Sequence, residues 1–137
     1  MSQIQKNLTI SGKRKTAIAK ATIKHGTGII LINKKPYENL DFFKKLIIKE
    51  PIELTKKILK NFEFDITVNV KGGGSESQIE ASRLAIAKAI VAYTKSEELK
   101  RKLSSYDKNI LVADTRRKEA YKPGDSKARR KRQKSFR

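Results

Sequence analysis

Phe62, Phe64, Ile66, Val68 and Val70 put an apolar side chain at every second position, with polar or acidic residues mostly between them. That alternation predicts a half-buried strand. Leu8 and Ile10 alternate in a shorter strand over 4–11. Residues 16–25 follow with β-branched residues interleaved by Ala and Lys. Residues 29–33 form a nearly continuous apolar strand that Lys35-Pro36 ends. Gly26-Thr27-Gly28, between the last two, has the composition of a tight hairpin turn. Two short helices are expected over 41–49 and 51–61, with Pro51 in the first turn of the second.

The pattern changes period after Gly72-Gly73-Gly74. Ile79, Ile86, Ile90 and Tyr93 recur at helical spacing, and Ala81, Ala85, Ala89 and Ala92 form a second, small-residue face that permits close approach to a sheet. Ser75 with Gln78 and Ser77 with Glu80 have capping-box spacing. Ser96, Glu97 and Glu98 open a further helix, with acids where the helix dipole favours them. Strands that are apolar on one side, joined to helices of this kind, predict an α/β sandwich with the helices on one sheet face.

Residues 115–137 break from this pattern. They hold Arg116, Arg117, Lys118, Lys122, Lys127, Arg129, Arg130, Lys131, Arg132, Lys134 and Arg137 against Glu119 and Asp125, a balance of 11 − 2 = +9. Their largest aliphatic residue is alanine, so they cannot build a core. The division is a globular body over 1–114 and an extended basic tail over 115–137. Tyr121 and Phe136 add rings able to stack on exposed bases, and Pro123-Gly124 keeps the path non-helical. A solubility tail or localisation signal is the plainer reading of the same composition.

The excess of positive charge extends over the whole chain. Thirty-three Lys and Arg against 14 Asp and Glu leave +19 over 137 residues. Such self-repulsion makes most sense facing a polyanion. The absence of cysteine excludes disulfides, thiol chemistry and cysteine-based zinc sites. No apolar run approaches the roughly 20 residues needed to span a bilayer. The basic residues do not oppose an aromatic or Leu-rich face, which disfavours a membrane surface. A soluble, cytoplasmic protein is expected.

Several groups invite a chemical reading. Gly72, Gly73 and Gly74 could bring backbone amides to a phosphate at a helix start, or could simply turn and pack, and Glu76 would repel an anion there. Lys13, Arg14 and Lys15 superficially resemble a P-loop ending, but Asn7 and Arg14 fail the pattern. What remains is a basic cluster at a strand start, for phosphate contact or for solvation. His25 lacks an acid or nucleophile pattern beside it. Asp65 and Asp114 stand apart instead of forming a magnesium-binding cluster. No catalytic residue, metal or cofactor is expected.

Four segments together resemble the ninth protein of the small ribosomal subunit, the universal S9 family. They are Gly12-Lys13-Arg14-Lys15-Thr16-Ala17; the strand from Gly28 to Pro36; Val70 to Gly74 followed by Gln78, Ala81 and Arg83; and the tail with Asp114 to Glu119, Lys122 to Gly124, Ala128 to Arg130 and the ending Gln133 to Arg137. That ending and Leu111 to Asp114 are similar to archaeal and eukaryotic cytoplasmic members, and the short length favours an archaeon. Many members have Gly where Ser77 stands.

The resemblance implies a four-stranded sheet with helices on one face, like the second domain of the fifth small-subunit protein, and a left-handed crossover. It implies small-subunit rRNA as partner in the head of the subunit, beside neighbouring head proteins. Lys13, Arg14, Lys15, Gly72, Gly73, Gly74, Arg83, Arg116, Arg117, Lys118, Lys122, Lys127, Arg129, Arg130, Lys131 and Arg132 would bind rRNA. Lys134, Ser135, Phe136 and Arg137 would contact tRNA in the peptidyl site. A free nucleic-acid chaperone or chromatin protein is the alternative, and an RNA-processing enzyme accessory a third; sedimentation with or without small subunits separates them.

Overall fold

The computed structural model describes residues 7–121. Strand β1 (Leu8–Arg14) pairs antiparallel with β2 (Ala17–His25), and the register Arg14↔Ala17 leaves a two-residue turn at Lys15-Thr16. Lys15 takes the positive φ, 53°, that this kind of turn needs. Lys13 to Lys15 therefore end a strand and turn, where the sequence placed them at a strand start.

With β3 (Ile30–Ile32), β4 (Lys35–Pro36) and β5 (Phe64–Lys71), the sheet has five strands in the order β1-β2-β5-β3-β4, one more than the resemblance implied. Strand β3 (Ile30–Ile32) and the two-residue β4 (Lys35–Pro36) form a small hairpin through Asn33 and Lys34, at φ 50° and 67°. The sequence signal for such a turn is Asn-Gly, and Asn-Lys hides it. The Asn33 side chain accepts the Val70 N–H at 3.0 Å and its own N–H donates to Val68 at 2.8 Å, which holds the left-handed pair in place.

Gly26-Thr27-Gly28 is not a hairpin turn. Strand β5 (Phe64–Lys71) inserts between β2 and β3, antiparallel to the first and parallel to the second. The glycine segment crosses the end of β5, and one Asp65 carboxylate oxygen accepts the N–H groups of Thr27, Gly28 and Ile29 at 2.9, 3.1 and 3.1 Å. A Cβ on Gly26 would fall 2.1 Å from that carboxyl group. These amides hold the Asp65 carboxyl below the usual carboxylate range, Ile29 contributing most and burial opposing.

Parallel pairing of β3 with β5 requires a crossover, and helix α1 (Phe42–Leu59) supplies it. The two short helices expected here are one. Pro51 lies inside it, fully buried beside Ile48, Ile52 and Thr55 on the inward face. Packing of that face outweighs the lost N–H of proline. Thr55 donates its hydroxyl to the Pro51 carbonyl at 2.7 Å.

Helix α2 (Ser75–Thr94) runs across β1, β2 and β5. Ala81, Ala85 and Ala89 are completely buried, as are Ile86 and Ile90, so the small-residue face does bring helix and sheet together, with Ala92 half-buried at its end. No capping box forms. Gly74 is the N-cap without a side-chain bond, and Gln78 reaches back to donate to the Gly72 carbonyl at 3.1 Å. Helix α3 (Glu97–Tyr106) starts as the sequence predicts, with Ser96 accepting the Leu99 N–H.

The core lies between the sheet and the helices. Alternate residues of β2 (Ala17, Ala19, Ala21 and Ile23) and of β5 (Ile66, Val68 and Val70) point into it, against the isoleucines of α1 and α2 and Leu99 and Leu103 of α3. Each fully buried Ile or Leu contributes about 1.5–3 kcal/mol. Among the described residues the opposite sheet face carries no helix.

Candidate nucleic-acid interface

Two basic segments one hundred residues apart meet at one end of the body. The β1–β2 turn brings Arg14, Lys15 and Thr16 against Arg116, Arg117 and Lys118, and these six residues line an open cleft. Arg14 joins the two sides. Its guanidinium donates to Glu80 of α2 at 2.5 Å and to the Asp114 carboxylate, and its side chain is only 18% exposed.

Asp114 is the hub. Its carboxylate accepts the Arg116 backbone N–H at 2.9 Å and the Arg116 guanidinium at 2.7–3.1 Å, besides Arg14. The Arg116 side chain, then its backbone N–H, hold the Asp114 carboxyl far below the usual carboxylate range, and the charges of Arg116 and Arg14 add to this. Arg116 is raised in turn by the bond to Asp114. Residues 115–121 leave this hub exposed and without helix or strand. Arg117 donates to the Asp114 and Arg116 carbonyls at 3.1 and 2.9 Å. Lys118 lies 2.6 Å from the Tyr121 hydroxyl and 4.3 Å from its ring centroid.

The glycine turn borders the same end. Gly72 and Gly73 have φ of 77° and 65°, and a Cβ on either would meet the backbone of Thr16 at 2.7 Å or Ala17 at 3.0 Å. Turning and close packing account for these two glycines. Only Gly74 has open space around its Cα: a Cβ there would meet nothing within 4 Å.

Arg83 lies in an adjoining cleft that Arg14, Glu80, Asp114 and Arg116 also line. It donates to Glu50 at 2.6 Å and to Asp107 at 3.1 Å, inside this cleft of about 370 Å³, and its Nε has no hydrogen-bond partner among the described residues. The Asn109 backbone N–H, and after it Arg83, hold the Asp107 carboxyl below its ordinary value against the effect of burial. Lys13 borders that cleft too. Lys122, Lys127, Arg129, Arg130, Lys131, Arg132, Lys134, Ser135, Phe136 and Arg137 lie outside the described residues.

The acids were the part of the site that sequence reasoning missed. Glu80, Glu50 and Asp107 carry no local signal, and Asp114 reads as isolated until the fold closes it on Arg14. His25 does have an acid beside it, Glu63 at 3.6 Å, both side chains exposed. Among the described residues no three His, Asp or Glu groups gather as a metal site, and no helix is long and apolar enough to cross a membrane.

A one-sided α/β body ending in a cation-lined cleft defines the class: a small, strongly basic α/β protein. The chain belongs to the family described as ribosomal protein S9/S16, whose model matches residues 12–137. It is similar to small ribosomal subunit protein uS9 of Methanococcus maripaludis strain C7, 50% identical over 129 residues that cover 92% of this chain and 95% of that one. The uS9 proteins of Methanococcus vannielii and Picrophilus torridus are 47% and 46% identical over the same 92% of the chain, covering 95% and 94% of their own lengths. The chain is of the archaeal type.

Proposed function

We propose that this chain, a structural constituent of the small ribosomal subunit through its family, binds small-subunit rRNA in the head. The observation that carries this is the cleft of Arg14, Lys15, Arg116, Arg117 and Lys118, in which one carboxylate, Asp114, orients two arginines and leaves the cleft strongly cationic. Arginine's planar fork suits phosphate oxygens. From this cleft the basic path continues along the tail through Lys122, Lys127, Arg129, Arg130, Lys131 and Arg132. Lys13, and Gly74 with its open surroundings, flank the start of the path, with Gly72 and Gly73 shaping the turn. Arg83 acts from within, holding α1, α2 and the segment after α3 together behind the interface.

The tail tip, Lys134, Ser135, Phe136 and Arg137, contacts tRNA in the peptidyl site. Twenty-three residues from Thr115 span at most about 80 Å when extended, which is ample reach beyond the body. Family resemblance supports this reading. Phe42 and Phe43, 69% and 76% exposed at the start of α1 with rings 5.5 Å apart, form an apolar patch with Leu46 that fits a neighbouring head protein.

The test is affinity of the full chain for purified small-subunit rRNA as a function of salt. With about six to ten phosphates neutralised, affinity falls roughly 10³- to 10⁵-fold between about 50 and 200 mM. A flat response rejects the proposal. Sedimentation of the native protein away from small subunits would favour a free nucleic-acid chaperone instead.

A further inference from the structure

The face of the sheet away from the helices is unaccounted for by the cleft and the tail. By register, Lys71 of β5 lies opposite Ile18 of β2, and Ile18 opposite Lys13 of β1; Lys20 is the next outward residue on β2, opposite Asn69 and Ser11. Lys20 thus sits diagonally from both Lys13 and Lys71, at about 7–8 Å. Lys20 and Lys71 line one open groove with Ile18, which is 43% exposed, large and apolar, and Lys13 stands opposite Ile18 in the register. Lys24 extends the row about 13 Å beyond Lys20 along the strand.

The chemistry of this face is one-signed. Among the described residues Lys13, Lys20 and Lys71 make no ion pair. The only carboxylate that the register places there is Asp65, opposite Lys24, and its oxygen is engaged by the three amides of residues 27–29. The remaining outward positions of β1, β2 and β5 are short hydrogen-bonding side chains, Thr9, Ser11, Thr22, Thr67 and Asn69, and beyond Thr67 the register continues to the apolar Leu31 and Pro36. Thr9 and Thr22 bond each other across the strands at 3.0 Å. No aromatic residue stands on these outward positions, so the face offers no platform on which unpaired bases could stack.

We infer that this open face is a second RNA-binding surface, and that it seats the minor-groove side of a double-helical segment of small-subunit rRNA. The inference rests on the RNA-binding reading above. Lysines that make no ion pair among the described residues match the phosphates by charge, and hydroxyl and amide groups match the 2′-hydroxyls that the wide, shallow RNA minor groove displays. A gently twisted, broad surface without protruding rings reads shape and not sequence.

Two measurements on the full chain test it. Lys20→Ala with Lys71→Ala makes the log–log salt slope of binding to purified small-subunit rRNA less negative by about one for each lysine, with the melting temperature unchanged because both side chains are exposed. An unchanged slope overturns the inference and leaves the RNA-binding reading standing; a wild-type chain without salt-dependent affinity removes both. The chain has no cysteine, so Asn69→Cys gives a single attachment point for a hydroxyl-radical source in reconstituted small subunits. Cleavage of both strands of one paired segment is expected. Cleavage confined to unpaired loops, or a face that cross-links to another protein and cuts no RNA, overturns it.

Discussion

Gly12 marks a close contact between sheet and helix, and replacing it with alanine tests the packing directly. A Cβ built there falls 2.6 Å from the Ala81 carbonyl oxygen and 2.7 Å from the Ala85 nitrogen. Those two atoms are acceptor and donor of one helical hydrogen bond of α2, so the methyl would press on the bond itself. Ordinary contact begins near 3.4 Å, so helix or strand must retreat by about 0.8 Å. Neither blocking atom can rotate away, because both are backbone. Overpacking of this kind costs about 1–3 kcal/mol, and the upper end applies here. The smaller entropy of the unfolded alanine chain offsets about 0.4–1 kcal/mol, leaving a net loss of about 2 kcal/mol. For a domain of this size that is a fall in melting temperature of about 10 °C. Ala85→Gly in the same chain does not restore it, since removing a side chain leaves the obstructing backbone in place. Thermal melting by circular dichroism on purified protein reads both results. A Gly12→Ala protein melting within about 2 °C of wild type, or full rescue by Ala85→Gly, would refute the contact.

Asp65→Asn weakens three hydrogen bonds to backbone amides and destabilises by about 1–3 kcal/mol at neutral pH. Because the folded carboxyl titrates below its ordinary value of about 3.9, this stabilisation is present above that pH and lost as pH falls below it. The difference between wild type and variant in urea unfolding should therefore shrink from pH 6 to pH 3, and a constant difference would contradict the assignment. Asp114→Ala frees Arg14 and Arg116 from each other without removing a cation; amide exchange of residues 115–117 rises while α2 stays protected, and unchanged exchange there would show that the hub does not hold this segment. Deleting Ser135 to Arg137 leaves assembly intact and modestly speeds tRNA release from purified small subunits, and an unaltered off-rate argues against a tRNA contact at the tip.

Where structure follows from local pattern, it was legible. The alternation in β5, the isoleucine and alanine faces of α2 and the serine before α3 each encode their element within a few residues. What failed depends on partners far along the chain. Gly26-Thr27-Gly28 reads as a hairpin because nothing nearby says that β5, 36 or more residues later, takes the place beside β2. Pro51 reads as a helix start because the burial that carries α1 through it is tertiary. Serine and glutamine at capping-box spacing mislead because the helix begins at Ser75 itself. The site divides the same way. The cations of the turn and tail are plain in the sequence, whereas their joining through Asp114, and the gathering of lysines on the open sheet face, exist only once β1, β2 and β5 lie in register.

The hub at Asp114 also sets a boundary condition on everything that follows it. A chain with a wandering root would sample a volume centred anywhere on the end of the body; one fixed at Arg14 has a single origin. Every cation beyond it is then confined within its own contour length of that point, about 3.3–3.6 Å per residue at most. If the body docks on RNA as proposed, each later phosphate contact would be an intramolecular event, governed by a local concentration that is millimolar for short tethers and falls with distance along the chain. Contacts near Arg116 would close first and those near Arg137 last, so the tip would meet its ligand only after the route behind it had been laid down.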